Sequence, residues 1–148
     1  MAEPVRQRYA EDVRVGDPLP GVALALPVYR LVMAAGATRD FTAIHHNDEV
    51  ARANGAPAMY ANAIFLQGMW ERALRDYIGP GGTIRAIRGF RMARFTTVGG
   101  TVRVEGEVVA TGHRDGRSVV EIELRTVDAG GVVTVGPGRA EVTLPGRP

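Results

Sequence analysis

Residues 57–78 read PAMYANAIFLQGMWERALRDYI, and everything else in the chain is arranged around them. Pro57 suits a first helical turn, where its missing N–H costs nothing. Gly79-Pro80-Gly81-Gly82 stops the helix, because glycine permits the turn and proline cannot continue it. The spacing predicts one long helix over 57–78. Its first half (Ala58 to Leu66) is apolar almost all round. Its second half keeps a stripe at Leu66, Met69, Trp70, Ala73, Leu74 and Tyr77, opposite Glu71, Arg72, Arg75 and Asp76. A helix that starts wholly buried and ends half buried needs a wrapper.

The following segment has the pattern of that wrapper. Thr83 to Phe95 alternates, with Ile84, Ala86, Phe90 and Met92 against Arg85 and Arg91, and Gly89 marks a possible bulge. Thr101 to Thr111 sets Val102, Val104 and Val108 against Arg103, Glu105 and Glu107. Asp115-Gly116 is a hairpin signal. Ser118 to Val127 sets Val120, Ile122 and Leu124 against Glu121, Glu123 and Arg125. Val132 to Leu144 follows, interrupted by Gly136-Pro137-Gly138, and residues 145–148 form a tail. Each strand has one apolar face that a single helix can cover.

Upstream of the helix, residues 1–20 are an irregular lead-in. Val22 to Val28 is a short strand, with Pro27 suggesting an edge. Tyr29 to Arg39 suits a short helix and Asp40 to Asn47 a polar loop. Asp48 to Ala53 is a helical turn, with Asn47 as its N-cap. The expectation is α+β, a long central helix wrapped by an antiparallel β-sheet, in a single domain over 1–148.

Composition narrows the function classes. The chain is 45% apolar and 23% charged, an ordinary globular balance. It has no cysteine, hence no disulfide framework and no thiol chemistry. All 18 of its cationic residues are arginine, so Schiff-base chemistry and a P-loop are excluded. The net charge is only +2, and along the sequence the arginines are scattered, so no nucleic-acid partner is expected. No apolar run reaches membrane-spanning length and the N-terminus lacks a signal-peptide core, so no membrane partner and a cytoplasmic location are expected.

Three histidines exist: His45, His46 and His113. His113 sits in the hairpin turn and reads as an exposed turn residue. Asp40 and His45 lie in the loop before the central helix. A carboxylate and an imidazole joined by a tight loop can hold one water molecule, one accepting its proton and the other orienting it or returning a proton. From spacing alone, a loop carboxylate capping a backbone N–H beside a solvent-facing histidine is the favoured reading.

The order of these features resembles the MaoC-like dehydratases, the (R)-specific enoyl-CoA hydratases of the hotdog fold. Their pattern is approximately G-D-x-N-P-x-H, then H-G about twenty residues later. Here the first motif reads Arg39-Asp40-Phe41-Thr42-Ala43-Ile44-His45 and the second Asn62-Ala63. Val98-Gly99-Gly100-Thr101-Val102 resembles the family's V-G-D-x-V turn. The likeness covers roughly residues 25 to 144. It implies a single hotdog domain in which Asp40 and His45 activate water for addition to a trans-2-enoyl thioester, or receive it in dehydration. It implies that the Ala63 backbone N–H holds the thioester oxygen. Asn62 reads either as a hydrogen-bonding contact within the site or as an N-terminal-turn residue satisfying backbone, and His46 as a loop residue or a contact at the substrate mouth. It implies no metal or redox cofactor, CoA thioester being substrate. Its partners would be an acyl-CoA and a second hotdog chain, in a homodimer or heterodimer.

The sequence departs from the pattern at Thr42-Ala43 for Asn-Pro, at Asn62-Ala63 for His-Gly, and at Arg39 for the glycine before the aspartate. The wording around Asp40 and Asn62 looks closest to actinobacterial hydratases of steroid side-chain breakdown, some of which work beside a different hotdog chain. Two rivals stand beside this reading. A hotdog thioesterase would use a carboxylate near the central helix, for which Glu71 is the candidate. A non-catalytic acyl-CoA-binding subunit would fit the departures. Arg91 and Arg94 are the arginines suited to CoA phosphates, although exposed strand arginines ordinarily just solvate a face.

Overall fold

The computed structural model describes residues 6–148, so the first five residues of the expected lead-in lie outside the described residues. The elements run β1 (Val22–Ala25), α1 (Val28–Ala37), α2 (Asp48–Ala53), α3 (Ala63–Ile78), β2 (Thr83–Arg88), β3 (Thr101–Arg114), β4 (Arg117–Asp128) and β5 (Val133–Leu144). Short 3-10 turns occupy Ala10–Asp12 and Ala43–His45. The five strands form one antiparallel sheet in the order β1-β3-β4-β5-β2.

α3 buries the face that its spacing predicts. Leu66, Met69, Trp70, Ala73, Leu74 and Tyr77 are all buried, joined by Ile78. They pack on Val102, Val104, Val108, Val120, Ile122 and Leu124 from the strands. Each fully buried leucine or isoleucine in this layer contributes about 1.5–3 kcal/mol. Trp70 keeps its one polar atom satisfied by donating Nε1–H to Thr126 Oγ1 at 2.8 Å, and its ring meets Phe90 edge-on.

The helix is shorter than the sequence suggests. It begins at Ala63, not Pro57, because the amides before it have tertiary acceptors. Met59 N–H donates to Asp48 Oδ1 and Ala61 N–H to the Thr96 carbonyl. Tyr60 forms an isolated bridge with Thr97. Asn62 then caps the helix, its Oδ1 accepting from Phe65 N–H at 2.9 Å. The start of α3 is not wholly buried either: Ala63 is exposed and Ile64 is 58% exposed.

The strands match in number and mostly in phase. β2 ends at Arg88, short of Phe95, and a register shift between Ile84 and Ala86 brings Ile87 inward beside Ile84 and Phe90. Met92 is 37% exposed instead of sharing that face. Gly136-Pro137-Gly138 does not interrupt β5. A Cβ on Gly138 would lie 2.6 Å from the Arg88 carbonyl, so only glycine lets β5 approach the end of β2 here. Asp115 and Gly116 both have positive φ (52° and 73°), as the two-residue hairpin turn between β3 and β4 requires.

Candidate active site

Asp40 is positioned by the end of α1. The helix stops in a Schellman motif, in which Arg39 N–H donates to the Gly36 carbonyl and Asp40 N–H to the Ala35 carbonyl at 2.9 Å. That motif needs a left-handed residue, and Arg39 supplies it with φ 57°. Asp40 is therefore fixed to α1 through its own backbone.

His45 is brought to it by the 3-10 turn that follows. His45 Nε2 lies 3.1 Å from Asp40 Oδ2, and the ring is 6% exposed. Its Nδ1 is 2.8 Å from the Tyr60 carbonyl. A carbonyl only accepts, so Nδ1 carries a proton and the hydrogen-bond network assigns Nε2 as the nitrogen facing the carboxylate. Tyr60 also closes on the imidazole edge-on, with ring centres 5.3 Å apart, and is backed by Phe95.

The other oxygen of Asp40 belongs to Thr42, whose hydroxyl donates to Oδ1 at 2.8 Å. Thr42 holds the Asp40 carboxyl below the usual carboxylate range. His45 and the Asn62 amide push the same way, and partial burial opposes them. The Asp40 side chain keeps 29% of its surface open, so water reaches the pair from the carboxylate side.

Asn62 is 2% exposed and bridges two elements. Its Oδ1 caps α3, and its Nδ2 donates to Thr38 Oγ1 at 2.6 Å on the last turn of α1. The side chain thus fastens the helix that carries Asp40 to the helix whose first residue is Ala63. The Ala63 N–H has no acceptor among the described residues and stands at the positive end of a sixteen-residue helix. A carbonyl oxygen placed there would find an oriented donor.

His46 goes elsewhere. It is exposed, and its Nε2 faces the Phe41 carbonyl at 3.4 Å, bracing the loop from outside. Glu71 pairs with Arg75 at 2.8 Å on the exposed side of α3. His113 meets Ser118 at 3.1 Å on the hairpin. Arg91 and Arg94 are exposed on the segment after β2. Sequence reasoning passed over Thr38, Thr42 and the Tyr60 carbonyl. The two-residue spacing of Asp40 and Thr42 was a usable signal, whereas nothing in the sequence marks a backbone carbonyl fifteen residues away. The described residues gather no group of three or more metal-binding side chains. A cavity of about 490 Å³ lies on the sheet beside Leu19, Gly106 and Leu124 and includes none of these site residues.

No family model matches the chain. Among curated proteins it is 33% identical over 108 residues to the 3-oxo-4,17-pregnadiene-20-carboxyl-CoA hydratase beta subunit of Mycobacterium tuberculosis, covering 73% of this chain and 81% of that one. Among solved structures it superposes on the ChsH1-ChsH2 complex from Mycobacterium tuberculosis with a TM-score of 0.78 and 29% identity, over 88% of this chain and 98% of that chain. It superposes on the unliganded (R)-hydratase PhaJ1 from Pseudomonas aeruginosa with a TM-score of 0.82, over 94% and 86% of the two chains. At 19% identity the last likeness speaks to the fold alone, and that fold is the hotdog.

Proposed function

Since the chain belongs to the MaoC-like dehydratases and (R)-specific hydratases, we propose that it adds water to a trans-2-enoyl-CoA through Asp40 and His45 to give the (R)-3-hydroxyacyl-CoA, or runs the reverse dehydration. One observation carries the reading: a water-accessible carboxylate 3.1 Å from a buried imidazole, on a helix fastened through Asn62 to the open N-terminus of α3.

The chemistry follows from the donors and acceptors. The Asp40/His45 pair takes a proton from water as its oxygen bonds to C3 of the enoyl group. The double-bond electrons move toward the thioester oxygen, and the Ala63 N–H stabilises the charge that develops there. The pair returns a proton to C2. Protons move but nothing is oxidised or reduced overall, so the reaction calls for no redox cofactor.

The substrate class follows the relative, which is named as a hydratase of a steroid-derived acyl-CoA. We extend that to a bulky acyl chain here. The same relative is a beta subunit, and the solved neighbour is a two-component complex; a second hotdog chain is the partner we assign. The thioesterase alternative finds little support, because Glu71 is tied to Arg75 in solvent.

The test is the absorbance of the enoyl-thioester band with trans-2-enoyl-CoAs from short-chain to steroid-like, beside Asp40→Asn. The expected result is loss of the band with wild type and a rate reduced about 10²–10⁴-fold in the variant. Equal rates would remove the pair from the mechanism. Release of free thiol without hydration would turn the reading to a thioesterase.

A further inference from the structure

Two helix ends meet at the site, and one line of hydrogen bonds joins them. Phe65 N–H, the third amide of α3, donates to Asn62 Oδ1 at 2.9 Å. Asn62 Nδ2 donates to Thr38 Oγ1 at 2.6 Å, and the Thr38 hydroxyl donates to the Ala34 carbonyl at 2.7 Å. Every donor in the line points from α3 toward α1. The positive end of one helix is thereby joined to the negative end of the other, and bonds aligned in one direction polarise one another.

The line fixes which way the Asn62 amide faces. Phe65 N–H only donates, so it takes the amide oxygen. The Thr38 proton is committed to Ala34, so Thr38 Oγ1 accepts and takes the amide nitrogen. A flipped amide would set donor against donor at Phe65. Asn62 is 2% exposed, so it acts on its protein neighbours and not on the solvent side from which a substrate arrives. Thr38 closes α1 as its C-cap, two residues before Asp40.

We propose that Thr38 and Asn62 are positioning residues that set the distance between the Asp40 carboxylate and the Ala63 N–H, and that Asn62 makes no contact with the thioester. The proposal rests on the hydration reading above. Asp40 is tied to α1 by its own N–H on the Ala35 carbonyl, and Ala63 is the first residue of α3. The spacing of the two groups is therefore the spacing of the two helix ends. In an enoyl thioester the carbonyl oxygen and C3 are the ends of one rigid conjugated unit, and both must be met at once. A misplacement of about 1 Å costs about 10²-fold in rate. The charge on the oxygen and the new bond at C3 develop only during reaction, so loose spacing lowers kcat and leaves KM in place.

The experiment measures kcat and KM of the full chain on the trans-2-enoyl-CoA it hydrates fastest, well below the melting midpoint of every protein used. The proteins are wild type, Thr38→Val, Thr38→Ser, Asn62→Ser and the Thr38→Val/Asn62→Ser double variant. Serine at position 62 still offers an oxygen to cap α3 but is too short to reach Thr38. The expected result is a kcat about 10²-fold lower in Thr38→Val and in Asn62→Ser, with KM changed by less than about twofold. Thr38→Ser should recover most of the rate, and the double variant should lose no more than either single, because both break one link. Wild-type kcat in Thr38→Val would overturn the proposal, as would Thr38→Ser as slow as Thr38→Val. A raised KM with kcat kept in Asn62→Ser would also overturn it and make Asn62 a substrate contact. If Thr38→Val does not fold, Asn62→Ser decides alone by the same split. Failure of the hydration reading shows in wild type and removes the proposal with it; failure of the proposal alone shows only in the variants.

Discussion

Thr42 stands where the resembled pattern has asparagine, and it replaces that loop contact with one of its own. Its hydroxyl holds Asp40 Oδ1, which leaves Oδ2 free for His45 and holds the Asp40 carboxyl below the usual carboxylate range. The sign follows directly. The bond favours the charged form, so removing it raises the Asp40 pKa. Thr42→Val is therefore expected to move the acid limb of the kcat/KM profile to higher pH, toward the ordinary carboxylate value of about 4, with activity near pH 7 less affected than activity at the acid limb. A pH-rate series on the two proteins measures it; an unmoved acid limb would mean that Thr42 does not tune Asp40.

The elements carry this site through their ends. Asp40 follows the C-terminus of α1, Ala63 opens α3, and Asn62 links the two through Thr38. None of these candidate side chains stands in mid-helix or mid-strand. The cost of the arrangement falls on Arg39, a non-glycine residue at the left-handed position of the α1 cap. Such a residue is strained by about 1 kcal/mol relative to glycine, which returns part of that through its more flexible unfolded chain. Arg39→Gly should stabilise the protein by roughly 0.5 kcal/mol, read as a denaturation midpoint that rises at an unchanged slope. A lower midpoint would show that the Arg39 side chain contributes more than its backbone costs.

At the scale of the molecule, acid stability reports on the paired carboxylates. Glu105 is held low by hydrogen bonds from Arg103 and then Arg125, as Asp40 is by Thr42. Both favour the folded state while ionised. Their contribution is complete above the ordinary carboxylate value of about 4 and is lost as pH falls through their lowered values. Since both groups are partly exposed, each contribution is modest. The expected outcome is a melting temperature level from pH 7 to 5 that falls below pH 4, with a shallower fall in Glu105→Gln. An equal slope in that variant would remove Glu105 from the acid response.

The sequence by itself determined the α+β order, the buried stripe of α3, the four strands after it and the hairpin at Asp115-Gly116. All of these depend on local spacing and turn chemistry, which a chain carries with it. The pairing of Asp40 with His45 was also readable, because five residues of loop span it. Tertiary structure decided where α3 begins, since Met59 and Ala61 have amide acceptors on distant segments that no local pattern reveals. It decided the phase of β2, through a bulge set by pairing with β5. It also put Arg85 and Arg88 on the edge strand β2, because strand order fixes which residues lack a neighbour. Long-range pairing selects among partners that short-range sequence leaves equivalent, and that selection placed the Tyr60 carbonyl, the Thr38 hydroxyl and the Asn62 amide around the site.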